Sequence, residues 1–391
     1  MNIDHVHFYV EDAQRWQAWF VQKLGFHVLF RQISADTTTI SLGYSPIRPL
    51  TSLNGRSWGR PVIQFRLSSP NSARSPVAAY LNQHPPSVAD LAFQVADLDQ
   101  VLHRAKRLGV EVLHAGPTSQ TDDQSQRMVT IRGWGDLQHT LVETASLPKS
   151  SLPEVSLSEV SLPEVSLSDM LLSTATAAPG FSGIDHVVLN IAQGDLERAI
   201  CWYEDLFGFQ RHQNFTIQTE RSALCSQVLR HPQGTVQMPI NEPASPTSQI
   251  QEFLDWNRGA GIQHIALRTH QILPLMAQMR QQGVNFLSVP ATYYEELACR
   301  PGLPLSRIEQ QQIAEQEVLA DWQANNTQAL LLQTFTQPIF EQPTFFFELI
   351  ERRSYWLDHQ PQVAEGFGEG NFRALFEAIE REQIKRGSLQ C

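Results

Sequence analysis

The sequence predicts an α+β protein built from repeated βαβββ modules, whose sheets curl into two open barrels, with one further helix at the C-terminus. Three observations predict this. The run IDHVHFYV (3–10) returns as IDHVVLNI (184–191), with an acidic residue and a histidine at the same offsets. The stretch VADLAFQVADLDQVLHRAKRLGVEVL (88–113) returns in pattern as IQHIALRTHQILPLMAQMRQQGVNFL (262–287). Strand-like runs outnumber helical ones, and each half closes on a β-rich segment, LVET in the first and FFFELIER in the second. Self-similarity of this kind signals repeated supersecondary units. Here it gives two strand–helix–strand modules per half.

The elements follow in order. After the strand at 3–10, Asp12 can cap a helix with Trp16, Trp19, Phe20 and Leu24 on one face, and Gly25 ends it. The strand opening at 88 leads into a helix that exits at Gly109. Residues 146–178 change character. A five-residue repeat rich in Ser, Pro and Glu (SLPEV, SLSEV, SLPEV, SLSDM) runs into LLSTATAAPG. Regular proline without an apolar stripe points to an extended linker. Beyond it, the strand at 184–191 precedes a helix that Asp195 can cap. Ala199, Trp202, Tyr203 and Phe207 share its inner face, and Gly208 ends it. The strand from 262 leads to a helix exiting at Gly283 and a strand to 287. Last, NFRALFEAIEREQIKRG places Phe372, Leu375, Phe376 and Ile379 on one face of a helix at about 371–386. The expected organisation is an N-terminal domain at 1–145, a linker at 146–178 and a C-terminal catalytic domain at 179–391 that includes the terminal helix as a lid.

Composition narrows the class. With 391 residues, 42% of them hydrophobic and 18% charged, the chain reads as an ordinary globular protein of several units. A net charge of −11 argues against nonspecific nucleic-acid binding, which needs a basic footprint. Cys201, Cys225, Cys299 and Cys391 form no CxxC pair, so neither a disulfide framework nor a thiolate zinc site is indicated. No apolar run approaches the ~18–20 residues needed to cross a bilayer, and no signal-peptide core is apparent. A cytoplasmic protein is expected, with no membrane or nucleic-acid partner.

Most of the 13 histidines need no special role. His186 and His264 stand apart because each sits early in the opening strand of a module. A pseudo-twofold relation between the modules would make their rings face each other. Glu348 lies in PTFFFELIE, a run too apolar to bury a carboxylate unless it is paired or metal-bound. Two histidines and one carboxylate on one face of a metal leave three positions open, which suits non-haem iron(II) and oxygen chemistry. The first half acts as an internal control. By the same alignment His5 answers His186, Asp90 answers His264 and Thr140 answers Glu348. One strong ligand remains there, so no metal is expected and the role of that half is structural.

GIDHVVLN (183–190), PINEP (239–243), SQIQEFL (248–254), GAGIQHIAL (259–267), LLLQTFTQP (330–338), PTFFFELIERR (343–353) and GFGEGNFRALFEAIEREQ (366–383) occur in one order over nearly all of 179–388. In these motifs the chain resembles the 4-hydroxyphenylpyruvate dioxygenases of the vicinal-oxygen-chelate (glyoxalase-like) superfamily. In 1–145 the resemblance rests on module pattern. It implies one Fe(2+) per chain, held by His186, His264 and Glu348. It also implies a substrate pocket of Ser222, Pro239, Asn241, Gln249, Gln263, Gln333, Phe335, Phe346, Phe367, Asn371 and Phe372. Phe335, Phe346, Phe367 and Phe372 would make an aromatic slot for a phenol, with amides to orient its hydroxyl. Asn371 would cap the lid helix. Gln263, next to His264 in a strand, should face away from the metal unless a bulge re-aims it or its contact is indirect. The implied reaction is oxidative decarboxylation of 4-hydroxyphenylpyruvate by dioxygen, with ring hydroxylation and side-chain migration, giving homogentisate and carbon dioxide. The alternatives are 4-hydroxymandelate synthase (same substrate, benzylic hydroxylation) and, more remotely, an extradiol ring-cleaving dioxygenase or a non-catalytic binding module. A homo-oligomer, dimer or tetramer, is expected.

Overall fold

A computed structural model describes residues 1–46, 61–116, 127–144, 179–323, 326–357 and 360–389. The linker expected at 146–178 lies outside the described residues. In the first half, β1 (Asn2–Tyr9), α1 (Ala13–Leu24), β2 (His27–Ile33), β3 (Thr37–Tyr44) and β4 (Ile63–Pro70) make one module. After α2 (Pro76–Gln83) come β5 (Ser87–Val95), α3 (Leu98–Arg107), β6 (Val112–Gly116), β7 (Met128–Arg132) and β8 (Gln138–Glu143). These strands form an eight-stranded sheet in the order β2-β3-β4-β1-β5-β8-β7-β6.

The second half repeats this plan. β9 (Phe181–Asn190), α4 (Leu196–Phe207), β10 (Gln210–Gln218), β11 (Ala223–Arg230) and β12 (Gln237–Pro243) lead through α5 (Gln249–Asn257) to β13 (Gly261–Thr269) and α6 (Ile272–Gln281). Then come α7 (Ala291–Cys299), α8 (Arg307–Gln316), β14 (Leu319–Gln323), β15 (Asn326–Phe335) and β16 (Phe346–Arg352). The sheet order is β10-β11-β12-β9-β13-β16-β15-β14, the same permutation as the first. In both sheets the two opening strands pair antiparallel, and each takes a parallel neighbour on its other side. A short hairpin, β17 (Ser354–Leu357) with β18 (Gln360–Val363), precedes the terminal helix α9 (Glu369–Arg386). No described helix is long and apolar enough to cross a membrane.

The internal alignment holds at single-residue register. His5 pairs with Ala92 as His186 pairs with Ala266, and Asp90 faces His7 as His264 faces Val188. The helix starts differ. Asp12 caps α1 by accepting from the backbone N–H groups of Gln14 and Arg15 at 2.8 and 3.0 Å, and Gly25 closes it at φ 75°. Asp195 makes no such cap. Its carboxylate takes Arg198 instead, and Glu242 reaches across from β12 to accept from Gly194 and Leu196. A long-range carboxylate has displaced the local one, which sequence spacing does not reveal.

Two further expectations change. After Gly283 (φ 78°) no strand forms; Phe286 makes a single bridge to Thr336. α7 and α8 intervene before β14, and α8 is set by a capping box between Ser306 and Glu309. The terminal helix begins at Glu369 after Gly368 in the left-handed region, so Asn371 lies inside its first turn and is not its cap.

The two halves share one core on the faces that turn away from His5 and His186. Phe8 packs edge-on against Phe345 at 5.2 Å, Phe65 stacks on Phe347 at 5.9 Å, and Trp16 meets Phe340 at 4.6 Å. A fully buried polar contact crosses this core. His139 on β8 donates from Nδ1 to the Leu91 carbonyl at 2.9 Å and accepts at Nε2 from the Tyr203 hydroxyl at 3.0 Å. Both ring nitrogens are satisfied in the neutral form, and burial pushes the pKa down to about 4. Between its unfolded value of about 6.5 and about 4, the unfolded chain binds the proton and the folded one does not. Stability is then lost as pH falls through that window, on the order of 3 kcal/mol in total. His139→Gln should flatten the fall of melting temperature between pH 6.5 and 4. An unchanged slope would remove His139 as the cause.

Candidate metal centre

The centre is built from one transverse row of the second sheet. His186 on β9 registers with Ala266 on β13, and Ala266 registers with Glu348 on β16. Partners in register point to the same face. The imidazole and the carboxylate therefore rise on either side of Ala266, whose methyl leaves the space between them open. His264, two residues along the middle strand, rises on the same face and completes a triangle. The possible ligand atoms of His186, His264 and Glu348 all lie within 4.8 Å of one another. Nε2 of His186 is 3.2 Å, and Nε2 of His264 3.4 Å, from Oε2 of Glu348.

Each side chain has one polar atom tied back and one left for the common point. Nδ1 of His186 donates to Asp185 at 3.0 Å, Nδ1 of His264 to Gln263 Oε1 at 3.2 Å, and Glu348 Oε1 accepts from Gln333 at 2.9 Å. The remaining Nε2, Nε2 and Oε2 are buried without hydrogen-bond partners among the described residues. Three such atoms crowded at one point in the interior are costly unless a cation, a proton or a metal ion, meets them. Their chemistry fits a divalent metal with nitrogen and oxygen ligands, and the tied-back atoms are the outer-shell partners that such ligands require.

The electrostatics favour positive charge at that point. Burial opposes a charge on His186, yet Glu348 and Asp185 raise its pKa to about 9. Burial likewise opposes ionised Glu348, but His186 and His264 hold it down to about 2. Burial dominates at His264, whose pKa is lowered. Asp185 is also buried, and Arg352 and His186 hold it well below the usual carboxylate range. Arg352 gives that carboxylate two hydrogen bonds, at 2.9 and 2.8 Å. Its third nitrogen donates to the carbonyls of Ala364 and Gly366, next to Phe367.

The resemblance named eleven pocket residues, and the structure distributes them unevenly. Pro239, Asn241, Gln249, Gln263 and Phe372 line a cavity of about 30 Å³ together with both histidines. Gln263 reaches it because the pairing of β13 with β9 shifts register between Ile262 and His264, so a bulge re-aims the side chain. Phe346 stacks on His264 at 4.8 Å, and Phe367 meets His186 edge-on at 5.1 Å. Phe335 sits behind Phe346, Gln333 bonds Glu348, and Asn371 bonds Gln333. Ser222 is not brought to the cavity. Its hydroxyl donates to Glu380 on α9 at 2.6 Å, as does that of Thr219, and so tethers the helix. Ser226 is a further candidate, which sequence reasoning did not name. It registers with Asn241, shares a strand face with the cavity-lining Leu224, and its hydroxyl is buried without a partner among the described residues. The signal was a strand period of two counted back from Asn241's partner strand, which needs the register to be known.

Loss of the carboxylate and loss of the open space should have the same outcome for different reasons. Glu348→Ala and Ala266→Leu are both expected to abolish retention of a divalent metal, read as metal per chain after gel filtration. Full loading of the Ala266→Leu chain would sink the account of the row.

Residues 183–298 and 4–127 each match the Glyoxalase/Bleomycin resistance protein/Dioxygenase superfamily, one match per half. Over 99% of its length the chain is 34% identical to a 4-hydroxyphenylpyruvate dioxygenase of Coccidioides posadasii, covering 94% of that protein. It is also 34% identical to that of Yarrowia lipolytica and 32% identical to that of Caenorhabditis elegans, in each case over 99% of this chain and 93% of the relative. Among solved structures, a triple mutant of 4-hydroxymandelate synthase from Streptomyces coelicolor aligns over 98% of both chains, with a TM-score of 0.75 and 26% identity. Two superfamily repeats, a buried two-histidine, one-carboxylate triangle and full-length similarity agree: the chain belongs to the 4-hydroxyphenylpyruvate dioxygenase family.

Proposed function

We propose that the chain oxidises 4-hydroxyphenylpyruvate with dioxygen at an iron(II) held by His186, His264 and Glu348, and releases homogentisate and carbon dioxide. The observation that carries this reading is the triangle of three orphaned ligand atoms on one side of a common point, in a chain similar along its whole length to such dioxygenases. When bound, iron(II) supplies coordination positions left open by the protein and the redox chemistry with dioxygen. The two atoms of dioxygen divide between the hydroxylated ring and the new carboxylate, as the carbon skeleton loses carbon dioxide.

The protein's own contribution is orientation and exclusion of water. Two neutral imidazoles and one carboxylate around a dication leave a net charge of about +1, which draws an anionic 2-oxo acid. Phe335, Phe346, Phe367 and Phe372 confine the phenol ring. Asn241, Gln249 and Ser226 present polar groups to its hydroxyl; the Gln249 carbonyl and the Ser226 hydroxyl are buried without partners. A cavity of about 30 Å³ holds roughly one or two waters, so α9 acts as a lid that must shift to admit the substrate and then seal it from solvent. We read 1–145 as a metal-free structural domain, 146–178 as a linker and 179–391 as the catalytic domain. In the first half Thr140 commits both its N–H and its hydroxyl to Asp90, at 2.8 and 2.5 Å, which supports that division. A cytoplasmic homo-oligomer acting on a small molecule completes the proposal.

A second reading, benzylic hydroxylation to 4-hydroxymandelate, shares the ligand set and substrate and is favoured only by the structural similarity at 26% identity. Product identity separates the two. Anaerobic protein loaded with iron(II) and 4-hydroxyphenylpyruvate should, on admission of air, yield homogentisate with one equivalent of carbon dioxide. 4-Hydroxymandelate as the main product would move the assignment to the second reading, and absence of turnover would remove both.

A further inference from the structure

The helical excursion in the second half carries a residue that reaches toward the metal centre through three links. Tyr293, on α7, lies against the edge strand β14. Its hydroxyl accepts from the Ala320 N–H at 2.9 Å, and Asn371 Oδ1 and the Ala320 carbonyl are 3.0 and 3.1 Å away. Nδ2 of Asn371 donates to Gln333 Oε1 at 2.8 Å. Nε2 of Gln333 donates to Glu348 Oε1 at 2.9 Å and to the Phe367 carbonyl at 3.0 Å. Asn371, Gln333 and Glu348 are each fully buried, with 0% exposure, so no solvent can substitute in the chain.

The directions of the bonds from Glu348 to Asn371 are fixed by the acceptors at the buried end. Glu348 and the Phe367 carbonyl only accept, so Gln333 must turn its amide nitrogen to them. Its oxygen then needs a donor, which is Asn371 Nδ2, and this leaves Asn371 Oδ1 facing Tyr293. There the Ala320 N–H occupies a lone pair of the phenol oxygen, and the phenol proton is available to Asn371. Burial raises the phenol pKa, so that proton stays on the oxygen.

We propose that Tyr293 is a positioning residue of the metal centre, holding Glu348 Oε1 turned away through Asn371 and Gln333 so that Oε2 alone faces His186 and His264. The inference rests on the reading of the triad as a metal site. Without the phenol proton the Asn371 amide loses one of its two restraints, and Gln333 in turn loses its fixed donor. Glu348 Oε1 would then be free to turn toward the point that Oε2 faces and to compete there with substrate or dioxygen for a bound metal. The bland alternative is that Tyr293 only caps the edge of β14.

Cobalt(II) titration of the full chain separates these, because the intensity of cobalt's visible bands reports coordination number. Wild-type protein should bind one cobalt(II) per chain; failure here would overturn the metal reading itself, apart from any role of Tyr293. Tyr293→Phe should weaken cobalt(II) binding about tenfold, the low end for outer-shell partners, and change the band intensity. Asn371→Leu keeps Tyr293 on the edge of β14 but cuts the chain. It should give the same loss, and the double variant should add nothing further. Wild-type affinity and spectrum in Tyr293→Phe, or losses that add in the double variant, would overturn the proposal. If Tyr293→Phe fails to fold, unchanged cobalt(II) binding by Asn371→Leu overturns it alone.

Discussion

The whole site depends on a register. His186, Ala266 and Glu348 lie in one row across β9, β13 and β16, and a slip of one residue in any strand would send its side chain to the opposite face. The opposite face is packed with Phe345, Phe347, Val187 and Ile265, so such a slip would bury a charge in the core and expose apolar surface in the cavity. The apolar periodicity of these strands therefore does two things at once. It drives the sheet onto the core, and it locks three polar side chains into a triangle no loop could hold as firmly.

Much of this was legible because the chain contains its own comparison. The repeat of IDHV singled out His186 from thirteen histidines, and the alignment of halves made Asp90 and Thr140 the counterparts of His264 and Glu348. Register in the structure bears that pairing out. What stayed hidden was long-range. Glu242 replaces Asp195 at the start of α4 because a neighbouring strand happens to deliver a carboxylate there. Gln263 turns inward through a bulge, Ser222 bonds Glu380 on the distant α9, and Ser226 faces Asn241 because β12 lies beside β11. α7 and α8 were missed where the repeat was trusted too far, although the capping box Ser306–Glu309 was there to read.

The contrast between the halves shows how little separates a metal site from a packed interior. In the first half Asp90 accepts two hydrogen bonds from Thr140, where the triangle of the second half leaves three atoms without hydrogen-bond partners among the described residues. Arg66 registers with His7 and lies close enough to bias Asp90 and His7 electrostatically. By register it takes the place held by Pro239 in the second half. Arg66 thus places a positive charge of the protein's own on the same face of the first sheet as Asp90.

The aromatic seam of Phe8, Phe65, Phe345 and Phe347 joins the back of one sheet to the back of the other. Strands that carry the ligands on one side carry this seam on the other, so the second sheet cannot come apart without exposing part of the first. Binding free energy gained at the triangle is then shared by the entire cooperative unit. The first half, which supplies none of the three side chains of the triangle, would still feel the arrival of a metal there as slower amide exchange in β1 and β4.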